Sequence, residues 1–84
     1  MKIEEVISLV MIELNKAEEK HPVWPADLVR AAATVAEESG ELVKAVLDHE
    51  EKNYSKYAIV TEALQTAATA IRFLKNFNME NNNE

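Results

Sequence analysis

The sequence predicts an all-α protein. Three segments carry apolar residues at the three- and four-residue spacing of one helix face. The 84 residues include one Gly and two Pro, whereas all-β domains need turn residues about every 8–12 positions. The segments are joined by short polar or proline-containing connectors. We therefore expect a single three-helix domain over residues 1–77, followed by a disordered polar tail over residues 78–84.

The first predicted helix begins near Lys2 and ends near Lys20. Acidic residues lie in its first turn and basic residues near its end, which complements the helix dipole. Pro22 and Pro25 then stop the helix and keep the link extended. One apolar stripe runs along the helix, formed by Ile3, Val6, Ile7, Val10, Leu14 and Ala17.

The second predicted helix begins after Asp27, a suitable N-cap, and ends near Glu50. Its expected apolar face carries Leu28, Val35, Leu42 and Val46. A second column of mostly small residues borders that face and contains Ala31, Thr34, Glu38, Glu41 and Ala45. Small side chains allow another helix or a ligand to come close.

The third predicted helix follows a polar connector over residues 50–53. It begins after Ser55, a second candidate N-cap, and ends near Phe77. Its central stretch, residues 63–71, contains no charged residue. A helix that is apolar or small on all sides is expected to be buried on all sides.

Composition predicts that the chain assembles with copies of itself. Hydrophobic residues make up 48% of the chain, but 12 of them are Ala and only five residues are aromatic. A domain of this size buries only about 60% of its unfolded surface, so its own core is marginal. We expect a four-helix-bundle-like core shared between protomers, in a homodimer or homotetramer.

Charge and cysteine content exclude several functions. The net charge of −6 argues against a nucleic acid polymer as partner, because phosphate binding needs a basic face. The absence of Cys excludes disulfides, thiolate zinc sites and a Cys nucleophile. No uncharged stretch approaches the roughly 20 residues that span a bilayer. We expect a cytoplasmic protein with no membrane partner.

An acidic cluster in the second helix is the first candidate for chemistry. Glu37 lies four residues before Glu41, and Glu38 lies three residues before it. Both spacings place the side chains on neighbouring turns of one helix face. Like charges at this spacing repel, so the cluster does not stabilise the helix. The simplest alternative is a solvated acidic surface. The position of Glu38 at the border of the apolar face favours a functional role instead.

A short connector favours antiparallel packing of the second and third helices. In that register Glu41 lies opposite Glu62 and Glu38 lies opposite Gln65, about 15 Å from the turn. Glu62 is the only charged residue between Lys56 and Arg72, and a bare buried carboxylate is costly. Oxygen ligands without thiols suit Mg²⁺, with Mn²⁺ as the alternative. Hydrogen bonds from Thr or Gln neighbours could instead satisfy Glu62.

These motifs resemble the MazG-like, all-α nucleoside triphosphate pyrophosphohydrolases. The likeness covers about residues 24–74. It rests on the sequence Glu-Glu-Ser-Gly-Glu-Leu at 37–42, followed by Glu-Ala-Leu-Gln at 62–65. The resemblance implies a Mg²⁺-dependent enzyme that cleaves (d)NTPs between the α- and β-phosphates, releasing a monophosphate and pyrophosphate. It also implies a dimer or tetramer of helix bundles.

The resemblance also assigns roles to residues. It makes Glu38, Glu41 and Glu62 metal ligands, and makes Glu37 a further ligand or the residue that orients the water. Glu37 and Glu38 are thus the catalytic candidates. Gln65 stands where the family pattern has Asp; its amide oxygen can ligate a metal but carries no charge and cannot act as a base.

Three further residues are candidates for substrate contact. Lys44 follows the acidic cluster and Arg72 lies in the third helix, so either could touch phosphates. Taken singly, each is more simply interpreted as a solvated surface cation. Trp24 could stack on a base or cap the core. We retain three hypotheses of function: a pyrophosphohydrolase of dNTPs or damaged nucleotides, a nucleotide- or metal-binding oligomer without turnover, and a plain helical oligomerisation protein.

Overall fold

The computed structural model describes residues 1–79 and contains three α-helices. They are α1 (Ile3–Lys20), α2 (Leu28–Lys52) and α3 (Lys56–Asn76). No strand occurs among the described residues, so the all-α prediction is confirmed. Of the predicted tail, only Asn78 and Met79 are described; the remainder lies outside the described residues.

Both predicted N-caps are confirmed. The Asp27 carboxylate accepts a hydrogen bond of 3.0 Å from the backbone N–H of Arg30. The Ser55 hydroxyl accepts one of 3.0 Å from the backbone N–H of Tyr57. Each cap satisfies a backbone donor that has no partner within its helix. The two helix starts were therefore readable from local sequence.

The end of α2 differs from the prediction. The helix continues through Glu50 to Lys52, so most of the expected connector is helical. Asp48 accounts for part of this extension, because it forms ion pairs one turn away with both Lys44 (3.1 Å) and Lys52 (3.7 Å). Asn53 then ends the helix with a left-handed φ of 59°, a conformation that Asn tolerates.

The three helices run up, down and up, with α3 in the middle. α3 packs against both other helices, whereas no Cα atoms of α1 and α2 within the described chain come within 8 Å of each other. Thr66 on α3 donates its hydroxyl to the carbonyl of Glu38 on α2 (3.1 Å). Arg72 on α3 donates to the carbonyl of His21, which caps the end of α1 (2.6 Å). These two bonds mark the register of both helices against α3, although the Thr66 proton is shared with the Glu62 carbonyl of α3 itself (2.8 Å).

The face that α2 presents to α3 is the column of small residues. Its buried members are Ala31 and Ala45, and Glu38 lies midway between them. The expected apolar face is less covered, since Leu28 remains 54% exposed and Val46 38%. Val35 and Leu42 of the same predicted face are partly buried, so the single protomer covers half of that face. Two alanines allow the backbones to approach closely, whereas Leu and Val would hold them apart.

The closed core is small for the number of apolar residues. Its buried hydrophobic members are Val10, Leu14, Ala31, Ala45 and Ala68, and no large side chain of the described chain is fully buried. Exposed apolar residues lie on all three helices. Nevertheless, none of the described helices is both long and apolar enough to cross a membrane.

The Thr66 hydroxyl should contribute measurably to stability. We expect Thr66→Val to lower the free energy of unfolding by about 1 kcal/mol, because the methyl group keeps the shape but donates no hydrogen bond to α2. Thr69→Val is the matched control, since Thr69 bonds only to Gln65 of its own helix (2.7 Å). Urea unfolding of both variants tests this. Equal losses would show that the bond between the helices does not set the register.

Candidate active site

The predicted pairing across α2 and α3 is confirmed. The Thr66 hydroxyl, which also contacts the Glu62 carbonyl (2.8 Å), reaches the Glu38 carbonyl on the facing helix. Glu38 and Gln65 line one groove, and Glu41 and Glu62 line another beside the turn. We call Glu37, Glu38, Glu41 and Glu62 the carboxylate cluster. Helix geometry thus brings together one acidic motif from each helix.

Glu38 is the half-buried member of the cluster on α2, between two exposed carboxylates. Its pKa is raised above the ordinary value of 4.5, first because burial removes water from the charged form. Negative neighbours raise the pKa further, in the order Glu62, Glu41 and Glu37. The effect of Glu62 acts across the helix interface. The cluster therefore places one half-buried carboxylate beside three other negative charges.

Lys44 attracts Glu41 electrostatically, but no cation of the described residues forms an ion pair with the cluster. Within residues 1–79, the ion pairs involve Asp48 and Glu18 rather than any member of the carboxylate cluster. Nor do three or more His, Cys, Asp or Glu side chains of that range converge closely enough to form a ready-made metal site. The donor chemistry nevertheless fits a hard divalent cation, because Glu38, Glu62 and Gln65 each offer a side-chain oxygen from one of two facing helices.

A groove of about 360 Å³ runs beside the cluster, between α1 and α2, and is lined by residues of all three helices. We call it the central groove. Glu38 and Gln65 line it on one side, Ala68 lies in it on α3, and Lys16 and Lys20 line it from α1. We did not predict a site role for the two lysines. Their i, i+4 spacing was visible, but only the packing of α1 on α3 places them near Glu38.

Lys44 lies near Glu41 as expected, at the end of the cluster close to the turn. Its ammonium is exposed and donates to Asp48 (3.1 Å), a hydrogen bond that raises the pKa of Lys44. To contact a phosphate, Lys44 would have to share or leave this ion pair. Its assignment to substrate binding stays a prediction.

Trp24 and Arg72 lie together at the other end of the molecule. The Arg72 guanidinium is 5.1 Å from the centre of the Trp24 ring, which is cation–π geometry. Only 7% of Arg72 is exposed, and it donates to the His21 carbonyl. Both side chains therefore hold the protomer together. Their predicted contacts with substrate stay a prediction that the geometry does not favour.

Comparison with known proteins gives no evidence on the function of this chain. No protein family model, no curated protein and no solved structure matches this chain.

The pH dependence of the free energy of unfolding should report the electrostatic cost of the charged Glu38 side chain. Because its pKa is raised on folding, the folded state binds more protons than the unfolded chain at pH values just above 4.5. The free energy of unfolding should therefore fall as pH rises through that window. Below 4.5 both states are protonated, and the effect vanishes.

Glu38→Gln should remove this part of the slope and make the metal-free protein more stable at neutral pH. Glu50→Gln, an exposed change on the same helix, is the control for charge removal. Urea unfolding in EDTA between about pH 4.5 and 7.5, at one protein concentration, gives the comparison. Identical slopes for Glu38→Gln and the parent would contradict the electrostatic account of the cluster.

Proposed function

We propose that this protein is a Mg²⁺-dependent nucleoside triphosphate pyrophosphohydrolase that converts (d)NTP to (d)NMP and pyrophosphate. One observation supports the proposal above others: the facing of Glu38 and Glu62 across the α2–α3 interface, with no protein cation between them. Half-buried carboxylates that face each other without such a partner are favourable places for a bound cation. A triphosphate is an anion that an acidic protein binds through such a cation.

The proposed metal ligands are Glu38, Glu41, Glu62 and Gln65. Bound there, Mg²⁺ would neutralise phosphate charge and lower the pKa of a coordinated water. Gln65 contributes an amide oxygen, which leaves the site one negative charge weaker than an all-carboxylate set. The helices supply rigidity: Thr66 pins the backbone of Glu38, so the main chain holds its place as the carboxylate turns toward a ligand.

Glu37 is proposed to accept the proton of the attacking water. It is an exposed carboxylate next to Glu38, so it can take up a proton and release it to solvent. The water oxygen forms a bond to one phosphorus of the α–β bridge, and the bridging P–O bond breaks. The electron pair of that bond leaves with the departing phosphate group, which yields a monophosphate and pyrophosphate.

Gln65 favours one second candidate, a nucleotide- or metal-binding protein without turnover. An amide cannot take a proton as a carboxylate does, and Gln65 lines the central groove beside Glu38. In that case the cluster would hold the metal and nucleotide but not activate water. Release of pyrophosphate separates this candidate from the enzyme.

We also propose that a second copy of the chain covers the exposed apolar surface, in a homodimer or homotetramer. A wide apolar groove lies between α2 and α3, lined by Ala32, Val35, Ala70, Phe73 and Leu74. On α1, Ile3, Ile7 and Met11 form an exposed stripe four residues apart. Burial of such faces stabilises the folded chain by about 25 cal/mol per Å² of apolar surface. The protomer needs this contribution, because its own core contains only five small and medium side chains.

Light scattering at micromolar concentration should show at least a dimer. Leu74→Lys should shift the assembly toward monomer, because it places a charge in the apolar groove that we expect a second copy to cover. Val23→Lys is the control, since Val23 is a similarly exposed aliphatic residue in the proline link. A folded monomer of the parent protein at this concentration would contradict the proposal.

Activity should depend on the two facing carboxylates. Glu38→Gln and Glu62→Gln should each abolish Mg²⁺-dependent release of pyrophosphate from dNTPs while helical content is unchanged, because each deletes a charged metal ligand. Glu50→Gln, exposed on α2 outside the cluster, should retain the parent rate. Turnover at the parent rate by both cluster variants would show that the site is wrongly placed.

Gln65→Asp is the complementary change. It restores an acidic ligand, so it should preserve or raise the rate of pyrophosphate release. An inactive parent protein that gains activity with Gln65→Asp would support the second candidate, binding without turnover.

A further inference from the structure

The central groove changes character along its length. α1 lies parallel to α3, because Arg72 reaches the His21 carbonyl where both helices end while Glu13 and Gln65 line the same groove one to two turns earlier. Lys20 therefore lies near the level of Arg72 and Glu13 near the level of Gln65. Glu13, Glu38 and Gln65 therefore form an acidic end of the groove, and Lys16 and Lys20 extend from it toward a basic end. From Glu13 to Lys20 the helix rises about 10 Å.

Lys16 and Lys20 differ from three other lysines of the described chain, Lys44, Lys52 and Lys75, in forming no ion pair. Lys44 and Lys52 are paired with Asp48, and Lys75 is paired with Glu18 at 2.7 Å. Neither Lys16 nor Lys20 forms an ion pair among residues 1–79. They lie one turn apart, so their like charges repel locally. Two ammonium groups without an ion pair on one side of a groove suit an anion with several charged groups.

The ligand that suits both ends carries a cation at one end and phosphates along the other. We propose that Lys16 and Lys20 bind the phosphate chain of a metal-bound oligophosphate that lies along the central groove. This inference rests on the proposed function, because the carboxylate cluster supplies the site for the metal. It adds a phosphate-binding role for α1, which lies outside both acidic motifs.

We expect the two lysines to hold the phosphate chain equally in the bound substrate and in the transition state. Their removal should therefore weaken substrate binding more than it lowers kcat. Lys16→Gln and Lys20→Gln should each weaken binding of Mg²⁺-tripolyphosphate by about tenfold, since each removes a charge-assisted hydrogen bond. KM for a dNTP should rise by a similar factor while kcat stays near the parent value. Lys16→Arg and Lys20→Arg should restore most of the affinity, because the positive charge is retained.

Calorimetry on the full chain provides the test, with Mg²⁺-tripolyphosphate and a non-hydrolysable dNTP as the two probes. Lys56→Gln is the matched control, because Lys56 is exposed and lies at the start of α3, away from the groove. All variants should keep the parent melting temperature, since the changed side chains are exposed. Both probes should weaken together, because only the phosphate chain is shared between them.

The outcomes separate this inference from the proposed function. If the Gln variants lose affinity but the parent releases no pyrophosphate, the phosphate site stands and the enzyme assignment falls. If the parent turns over dNTPs and the Gln variants keep its KM and affinity, the enzyme assignment stands and the phosphate site is overturned. Weakening of the nucleotide probe alone, or no binding of either probe by the parent, also overturns the phosphate site.

Discussion

The contact between α2 and α3 is built from small side chains, and the site depends on that smallness. Ala31 and Ala45 on α2 and Ala68 on α3 are the buried residues with the least bulk. The helices come close enough for the Thr66 hydroxyl to reach a main-chain carbonyl on α2. A hydroxyl on so short a side chain has little reach, so this bond requires near contact of the backbones. Larger residues would separate the facing carboxylates as well as the helices.

Glu38 occupies the same column as the two buried alanines of α2, one heptad from each. A seven-residue spacing returns a side chain to almost the same face of a helix. The carboxylate is therefore placed at the interface by the same periodicity that places the alanines there. A helix optimised for stability alone would carry Ala or Ser at this position. The raised pKa of Glu38 shows that the fold tolerates a cost at this residue.

The same close contact leaves much apolar surface uncovered. Alanine contributes little buried area, so the closed core stabilises the chain weakly, and the larger aliphatic residues of α2 remain at the surface. Leu28, Val43 and Leu47 are each at least half exposed. A single protomer thus separates two functions of α2: its small face holds α3 and the carboxylates, and its aliphatic face is available to a partner copy.

Local sequence predicted the helices, both N-caps and the register of α2 on α3, because each depends on residues near one another or on one short turn. The end of α2 was missed, since ion pairs of Asp48 and the left-handed Asn53 extend the helix past polar residues that resemble a connector. The place of α1 could not be predicted from periodicity. It depends on contacts between residues far apart in sequence, such as His21 with Arg72 and Glu18 with Lys75.

Arg72 explains why the central groove has two different ends. A cation at the C-terminus of α1 complements the helix dipole, and its bond to the His21 carbonyl satisfies a backbone acceptor. The Trp24 ring covers the guanidinium, which offsets part of the cost of removing this charge from water. The buried Nε–H of Arg72 nevertheless has no hydrogen-bond partner, which is a cost to the folded state. Arg72 does anchor the last turn of α1 on α3, and that anchor brings Lys20 to the groove while Glu13 stays level with the carboxylates. Arg72, a candidate for phosphate contact from sequence alone, is thus buried between Trp24 and the end of α1.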